Sequence, residues 1–275
     1  MARTTVDPVD IGKMYDESAP ISDTFNEGQI HLAYWYGDGD DTPMVEASKR
    51  ITRKVADALG LRPGERVLDA GCGLGAPAIL IARETGADVT GVTVSAVEAG
   101  EAQRKADASG IAERVRFEQA DFSALPYGEG HFDAVLAMES LQCAPDLGAT
   151  LAELFRVLRP GGRITFADYT TEERMGLDEA EAFAAAINLN RLPTLPEWFA
   201  ALGAAGFAVE EYTQCGPRVF GMGPKFVESA ETARGVLAER FGDEMVTGLK
   251  DALRDFFAPG PDRIGYVIVS ARKPG

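Results

Sequence analysis

The stretch Val67-Leu-Asp-Ala-Gly-Cys-Gly-Leu-Gly75 decides the fold. It begins within a short apolar run, 66–70, that predicts a buried strand, and a helical pattern follows it from Ala76. The three glycines between them permit turn dihedrals that other residues avoid, and they let a ligand approach the backbone. The N-terminus of the next helix also presents unpaired N–H groups. The stretch therefore predicts a strand, a ligand-binding turn and a helix.

On both sides of this turn the chain alternates between strand-like and helix-like stretches, which is typical of a parallel sheet covered by helices. Strands are predicted at 66–70, 88–94, 115–120, 132–138, 163–169, 207–213 and 265–272. Helices are predicted at 76–84, 95–109 and 147–158, with further helical stretches near 227–241 and 246–257. The fold class predicted is α/β.

Composition excludes several classes of partner. The 275 residues contain 27 Lys plus Arg and 43 Asp plus Glu, a formal net charge of −16, which disfavours nucleic acid and anionic membrane surfaces. No stretch approaches the roughly 20 apolar residues of a membrane span. Cys72, Cys143 and Cys215 form no CxxC pair, so neither a metal site nor a disulfide framework is expected. We expect a cytoplasmic protein.

Three interpretations of the glycine turn compete: a tight strand–helix connection that binds no ligand, and sites for two kinds of ligand. Gly71, Gly73 and Ala76 satisfy the G-x-G-x-x-G/A pattern of dinucleotide sites. Such sites usually place an acidic residue about 20 positions further on, against the ribose. Here the second strand ends Gly91-Val-Thr-Val94, without an acid. This weakens the dinucleotide interpretation, and an NAD-linked oxidoreductase stays as the alternative from another class.

The second ligand is a methyl donor. Residues 65–75 resemble motif I of the class I S-adenosylmethionine-dependent methyltransferases, and Ala120-Asp-Phe122, Phe132-Asp-Ala-Val135 and Leu158-Arg-Pro-Gly-Gly162 follow in the expected order. Residues 14–16, 29–35 and 139–146 further resemble bacterial natural-product enzymes, including sugar O-methyltransferases of the rebeccamycin type. The resemblance implies a Rossmann-like seven-stranded sheet of order 3-2-1-4-5-7-6, its last strand antiparallel, with helices on both faces and an inserted helical lid.

The resemblance also implies a division of the chain. Residues 1–45 would form a cap over the active site and 46–275 the methyltransferase domain, in which 170–200 and 216–262 are insertions forming a substrate chamber. The implied reaction moves a methyl group from S-adenosylmethionine to a small-molecule acceptor, at oxygen first and nitrogen second. C-methylation of an alkene or isoprenoid-like acceptor is an alternative. Whether the chain forms a homo-oligomer is left open.

Donor contacts carry over residue by residue. Gly71 and Gly73 would line the methionine portion, with Asp69 near its amino group. Asp121 would accept from the adenine amino group, and Glu98 takes the place of a ribose-binding glutamine. Plain structural alternatives exist, because Asp favours turns and Ser95 with Glu98 matches a helix capping box. The predicted donor contacts are Tyr15, Asp69, Gly71, Cys72, Gly73, Thr93, Ser95, Glu98, Asp121, Phe122 and Met138.

The acceptor side departs from related O-methyltransferases, which carry histidine where this chain has Gln142-Cys143. His131 precedes the fourth strand at the opposite edge of the sheet, so His31 is the better candidate for a base. A packed histidine bonded to backbone is its alternative. The predicted catalytic residues are His31 and Glu139, and the predicted substrate contacts are Trp35, Gln142, Tyr169 and Phe220. The aromatic members equally suit a core.

Overall fold

The computed structural model describes residues 18–275, and its centre is one seven-stranded sheet. The strands are β1 (Arg66–Ala70), β2 (Asp88–Thr93), β3 (Val115–Gln119), β4 (Phe132–Met138), β5 (Leu158–Thr171), β6 (Ala208–Gln214) and β7 (Ile264–Arg272). They lie in the order β3-β2-β1-β4-β5-β7-β6. The pairs within β1–β5 are parallel, and β7 runs antiparallel to β5 and β6. The predicted topology is confirmed.

Helices surround the sheet. Residues 18–26 are helical and are called α1. The next helices are α2 (Met44–Leu59), α3 (Ala76–Thr85), α4 (Ala96–Ala108) and α5 (Leu147–Val157). The two predicted insertions contain α6 (Leu177–Ala186), most of α7 (Leu195–Ala204), α8 (Gly216–Val219), α9 (Gly223–Thr232), α10 (Arg234–Phe241) and α11 (Asp243–Phe257). Within residues 18–275, no helix has both the length and the apolar character needed to cross a bilayer.

The strands are apolar on both faces because each face has its own helical layer. Val67 and Leu136 point into a core shared with α2 and α3. Their neighbours Leu68 and Val135 point into a second core, shared with α5 and α7. Since side chains alternate along a strand, continuous apolar runs are what a sheet buried on both sides requires.

Two boundaries differ from the sequence prediction. β5 begins at Leu158, where a helix was expected to end, and includes the Pro160-Gly161-Gly162 turn. The ladder between β4 and β5 shifts register between Phe132 and Ala134, as a bulge does. The helix predicted near 227–241 is two helices, α9 and α10, with a break at Ala233. Next to the break, the Thr232 hydroxyl donates to the carbonyl of Glu228, a bond that bends helices.

Gly91 in β2 gives a stability test of the packing against the glycine turn. A Cβ there would lie 2.5 Å from Phe117 Cδ1 and 2.8 Å from Cys72 Cβ. We therefore expect Gly91→Ala to lower the free energy of unfolding by about 1–3 kcal/mol in urea titrations, because the core is overpacked. Gly100→Ala in α4 is the control, since its Cβ meets open space and should stabilise the protein by about 0.5–1 kcal/mol. Equal stability of the two variants would contradict the packing described.

Candidate active site

A cavity of about 370 Å³ opens at the carboxyl edge of the sheet, where β1, β2, β4 and β5 end. Ligand sites of open α/β sheets lie at this edge. Its walls come from the strand ends, from the segment after α1 and from the insertions. The lining residues include Gly28, Ile30, His31, Asp69, Gly71, Gly73, Thr93, Glu98, Asp121, Phe122, Met138, Glu139, Gln142, Tyr169, Ile187, Leu189 and Phe256.

The glycine turn after β1 forms one wall without side chains. Gly71 and Gly73 have φ values of 91° and 49°, in the left-handed region that favours glycine. A Cβ on Gly71 would lie 2.5 Å from Ser140 Cβ, and one on Gly73 would lie 2.6 Å from Ile30 Cδ1. The turn is fixed because the N–H groups of Gly71 and Cys72 donate to Val92 O at 3.0 and 2.9 Å. The two glycines line the cavity, and no larger residue fits at either position because Ser140 and Ile30 already fill the space.

Asp69, at the end of β1, supplies a buried carboxylate to the same wall. Its residue is 1% exposed, and Oδ2 has no hydrogen-bond partner within the described chain. Burial raises the pKa of Asp69 to about 7. An unpaired buried acceptor costs free energy, so a cationic or hydrogen-donating ligand group would be bound favourably at this position.

Thr93 ends β2, and Glu98 from the first turn of α4 lies beside it. The sequence of β2 itself has no acidic residue at this end. The Thr93 hydroxyl donates to Glu98 Oε2 at 2.7 Å, and both residues line the cavity. Ser95 accepts from Glu98 N at 2.9 Å and so caps α4. Glu98 thus brings a carboxylate to β2 from the first turn of the following helix. Ser95, predicted as a donor contact, acts as that helix cap and is not part of the cavity wall described.

Asp121 and Phe122 follow β3 and also line the cavity. Asp121 Oδ1 accepts from the N–H and the hydroxyl of Ser123 at 2.8 and 2.7 Å. This local turn holds the carboxylate at the cavity wall. The local turn that was the structural alternative for Asp121 is therefore present, and Asp121 also lines the cavity.

Glu139 lies directly after β4 and collects three hydrogen bonds. Leu32 N–H and the Tyr266 hydroxyl donate to Oε1 at 2.6 and 2.8 Å, and the Tyr169 hydroxyl donates to Oε2 at 2.5 Å. Its φ of 53° is unusual for a residue with a side chain, and such conformations concentrate at functional sites. Burial raises the pKa of Glu139 to about 7, against the opposing effect of the three donors. Such a carboxyl can hold or accept a proton near neutral pH.

His31, predicted as a base, is 5% exposed and has partners at both ring nitrogens. Nδ1 lies 3.0 Å from the carbonyl oxygen of Leu32, and Nε2 lies 3.0 Å from Thr52 Oγ1 and 3.0 Å from Gln29 Oε1. Burial lowers the pKa of His31 to about 4, partly offset by the Leu32 carbonyl. The ring is therefore uncharged near neutral pH and is hydrogen-bonded to backbone. This is the packed histidine that the sequence analysis gave as the alternative to a base.

The remaining wall is apolar apart from Gln142. Ile187, Leu189 and Phe256 come from the insertions, and Met138 ends β4. Gln142 lines the cavity at 1% exposure, and its Oε1 has no hydrogen-bond partner within residues 18–275. This end of the cavity therefore suits an apolar molecule with a polar group near Gln142.

Two predicted substrate contacts lie elsewhere. Trp35 is 1% exposed, its Nε1–H donates to Thr42 O at 2.8 Å, and its ring packs edge-on against Phe226. Phe220 is 2% exposed and packs against Tyr169 and Phe256. Neither residue is part of the cavity wall described. Both belong to the aromatic core, the alternative that their composition left open.

The remaining predicted site residues either line the cavity or lie outside the described part of the chain. Cys72, Met138 and Tyr169 line the cavity, and Tyr15 lies outside the described residues. Sequence reasoning missed the wall residues Ile187, Leu189 and Phe256, because insertions carry no motif that orients a side chain. It also missed Tyr266, although β7 was predicted; the register that pairs Tyr266 with Tyr169 was the missing information.

Comparison with known proteins agrees with this geometry. A family model described as a methyltransferase domain matches residues 67–162. The chain is 32% identical to the methyltransferase GfsG of Streptomyces halstedii, covering 96% of this chain and 94% of that protein. It is 33% identical to the 27-O-demethylrifamycin SV methyltransferase of Amycolatopsis mediterranei, with 97% and 98% covered. The crystal structure of the [4+2]-cyclase SpnF is similar over 99% and 98% of the two chains, at 32% identity and a TM-score of 0.84.

The protonation of Glu139 gives a test by stability. Its pKa is about 7 in the folded protein against an ordinary 4.5, so the folded state holds a proton that the unfolded state releases. The contribution of Glu139 to the free energy of unfolding should therefore fall as pH rises from 4.5 to about 7, whereas the lowered pKa of His31 acts in the opposite direction. Glu139→Gln removes the first contribution alone, so its free energy of unfolding relative to wild type should rise over this range by up to about 3 kcal/mol in urea titrations at several pH values. Asp69→Asn should change the slope in the same direction, and an unchanged slope in Glu139→Gln would contradict a protonated Glu139.

Proposed function

This chain belongs to the class I S-adenosylmethionine-dependent methyltransferases of bacterial natural-product type, and we propose that it methylates a hydroxyl group of a neutral, largely apolar acceptor. The observation that carries the proposal is Glu139, a half-buried carboxyl of raised pKa that is hydrogen-bonded to Tyr169. Both residues face the cavity between the glycine turn and the apolar wall. A proton acceptor is thus available where an acceptor hydroxyl would meet the donor.

The residues of the glycine-turn end fit S-adenosylmethionine, which supplies an electrophilic methyl group when bound. We assign the methionine portion to Gly71, Gly73 and Asp69, because the bare backbone and the unpaired Asp69 Oδ2 suit an ammonium group. Thr93 and Glu98 would hold the ribose hydroxyls. Asp121 and Phe122 would hold the adenine. Cys72 and Met138 complete this part of the wall.

Charge in the cavity selects the acceptor class. The ionisable acids of the wall are Asp69, Glu98, Asp121 and Glu139, and no Lys or Arg lines it in the part of the chain described. A phosphate or carboxylate would meet like charge without a cationic partner, which is unfavourable in a buried site. A neutral acceptor avoids this cost, and its apolar body fits Ile187, Leu189 and Phe256. Gln142 would receive a polar group of that body.

In this reaction the residues of the chain align the acceptor with the donor and accept a proton. The bound donor would supply the methyl group and keep the electron pair of its carbon–sulfur bond, while Glu139 would take the proton of the acceptor hydroxyl. Tyr169 donates to Glu139 Oε2, so it holds the carboxyl in one orientation during this transfer. A placed base contributes about 10²–10⁴ in rate, and alignment in a site that excludes water contributes further.

The alternatives rank below this proposal. An amine acceptor comes second, since an acidic cavity tolerates a cation. Neither C-methylation nor a nicotinamide-linked oxidation is favoured, because relatives similar over nearly the whole chain are named methyltransferases, one of them for an oxygen acceptor. Cyclisation is a separate candidate, because the [4+2]-cyclase SpnF is as similar in sequence as those methyltransferases. The three cysteines are free, which fits the reducing cytoplasm we propose as its location.

Donor binding tests the adenine assignment. We expect Asp121→Ala to weaken binding of S-adenosylhomocysteine by about 1–3 kcal/mol, because an adenine N–H group loses its buried acceptor. Isothermal titration calorimetry measures the change directly. Ser123→Ala is the matched control, since it removes the hydroxyl contact to Asp121 Oδ1 and keeps the carboxylate. Equal affinity of the Asp121→Ala and wild-type proteins would exclude the assignment.

Turnover tests the reaction. The purified protein would be incubated with S-adenosylmethionine and one acceptor at a time. The acceptors would be a panel of neutral polyketide alcohols and 27-O-demethylrifamycin SV, which is named for one relative. We expect S-adenosylhomocysteine and a product heavier by one CH₂ in equal amounts, with kcat reduced about 10²–10⁴-fold in Glu139→Gln. A product of unchanged mass formed without S-adenosylhomocysteine would instead identify a cyclase.

A further inference from the structure

The backbone of Leu32 connects the two residues that the sequence nominated for catalysis. Its N–H donates to Glu139 Oε1 at 2.6 Å, and its carbonyl oxygen lies 3.0 Å from His31 Nδ1. Glu139 belongs to the end of β4, whereas His31 and Leu32 precede α2. The contact therefore joins the segment that covers the cavity to the candidate base.

The tautomer of His31 follows from its partners. A carbonyl oxygen can only accept, so Nδ1 must carry the proton and donate to Leu32 O. Nε2 then accepts from the Thr52 hydroxyl of α2 at 3.0 Å. The side-chain amide of Gln29 lies 3.0 Å from the same nitrogen and must present its NH₂ group there, since a side-chain amide can be flipped and the backbone carbonyl of Leu32 cannot. The ring thus spans from Leu32 to α2 with both nitrogens engaged, at 5% exposure.

We propose that His31 is a positioning residue: its neutral ring fixes Leu32 against Glu139, and it takes no proton from the acceptor. The lone pair that a base would need is already bonded to Thr52. A second proton would create a charge among buried groups, which is costly. That Glu139 is the base in turnover rests on the proposed function, but the positioning of Leu32 does not.

The predicted effect of losing His31 has a defined sign. The ionisable groups that face Glu139 are Tyr169 and Asp168 of β5 and Tyr266 of β7. Leu32 N–H donates to the carboxylate and lowers the pKa of Glu139. If Leu32 is no longer held, the charged form loses a donor, so the Glu139 titration should move to higher pH.

Three variants separate the two nitrogens of the ring. His31→Asn places an amide nitrogen near the position of Nδ1, so it keeps the donor to Leu32 O. His31→Gln extends its amide toward Thr52 and lacks the Nδ1 donor. His31→Phe keeps a ring and removes both polar contacts. Only the Asn variant should preserve the arrangement of Leu32 and Glu139.

The readout is ¹³C NMR of protein labelled at the glutamate carboxyl carbon and saturated with S-adenosylhomocysteine. Glu139→Gln identifies the Glu139 signal by its loss. We expect the midpoint to rise by about one pH unit in His31→Phe and His31→Gln, and to stay close to wild type in His31→Asn. An unchanged midpoint in His31→Phe, or an equal rise in His31→Asn, would overturn the proposal.

A measurement on the unaltered protein guards against misfolded variants. Long-range ¹H–¹⁵N spectra of the wild type should show the Nδ1–H tautomer of His31 and no protonation around neutral pH. The Nε2–H tautomer would overturn the proposal without any substitution. In turnover, the acid limb of the kcat profile should move with the NMR midpoint. If the protein transfers no methyl group, only the kcat profile cannot be measured, and the NMR titrations still test the positioning of Leu32. Failure of the proposed function can thus be told apart from failure of this proposal.

Discussion

The partial burial of one carboxyl group, Glu139, constrains the rest of the site. A buried carboxyl is tolerated only where hydrogen-bond donors surround it, and here the donors come from three separated parts of the chain. The sheet order makes this arrangement available, because β4, β5 and β7 are consecutive neighbours. Tyr169 and Tyr266 are register partners across β5 and β7, so both hydroxyls reach the end of β4. The antiparallel β7 therefore has a chemical role as well as a structural one.

The same carboxyl belongs to a cavity whose ionisable wall is acidic. Asp69 and Glu139 both have pKa values of about 7 because burial penalises their charged forms. A bound cation between them would lower both values, since an opposite charge favours ionisation. Binding of a sulfonium donor would thus help to produce the ionised Glu139 that an acceptor hydroxyl needs. The net charge of −16 extends this preference for neutral or cationic ligands to the whole surface.

The sequence predicted the cavity residues at the ends of β1, β2 and β3 much better than those supplied by the insertions. Gly71, Asp69 and Asp121 lie in or directly after strands, so a local motif determines where each one points. Trp35 was predicted from the resemblance of segment 29–35 and from its aromatic ring, and Phe220 from its aromatic ring alone. An aromatic ring suits a core as well as a binding wall. The positions of Ile187, Leu189 and Phe256 depend on how two insertions fold over the sheet. Sequence periodicity carries no information on that long-range packing.

The two ends of the cavity also differ in the substitutions that their residues allow. The glycine turn allows little change, because a Cβ on Gly71 would lie 2.5 Å from Ser140 Cβ. The wall formed by the insertions lies outside the sheet, in segments whose positions no strand register fixes. The shape of that end of the cavity can therefore change in the insertions while the glycine turn keeps its conformation. Glu139 lies between the two regions, and Leu32 in the segment before α2 donates a hydrogen bond to it. A change in that segment therefore alters both the cavity wall and the pKa of Glu139.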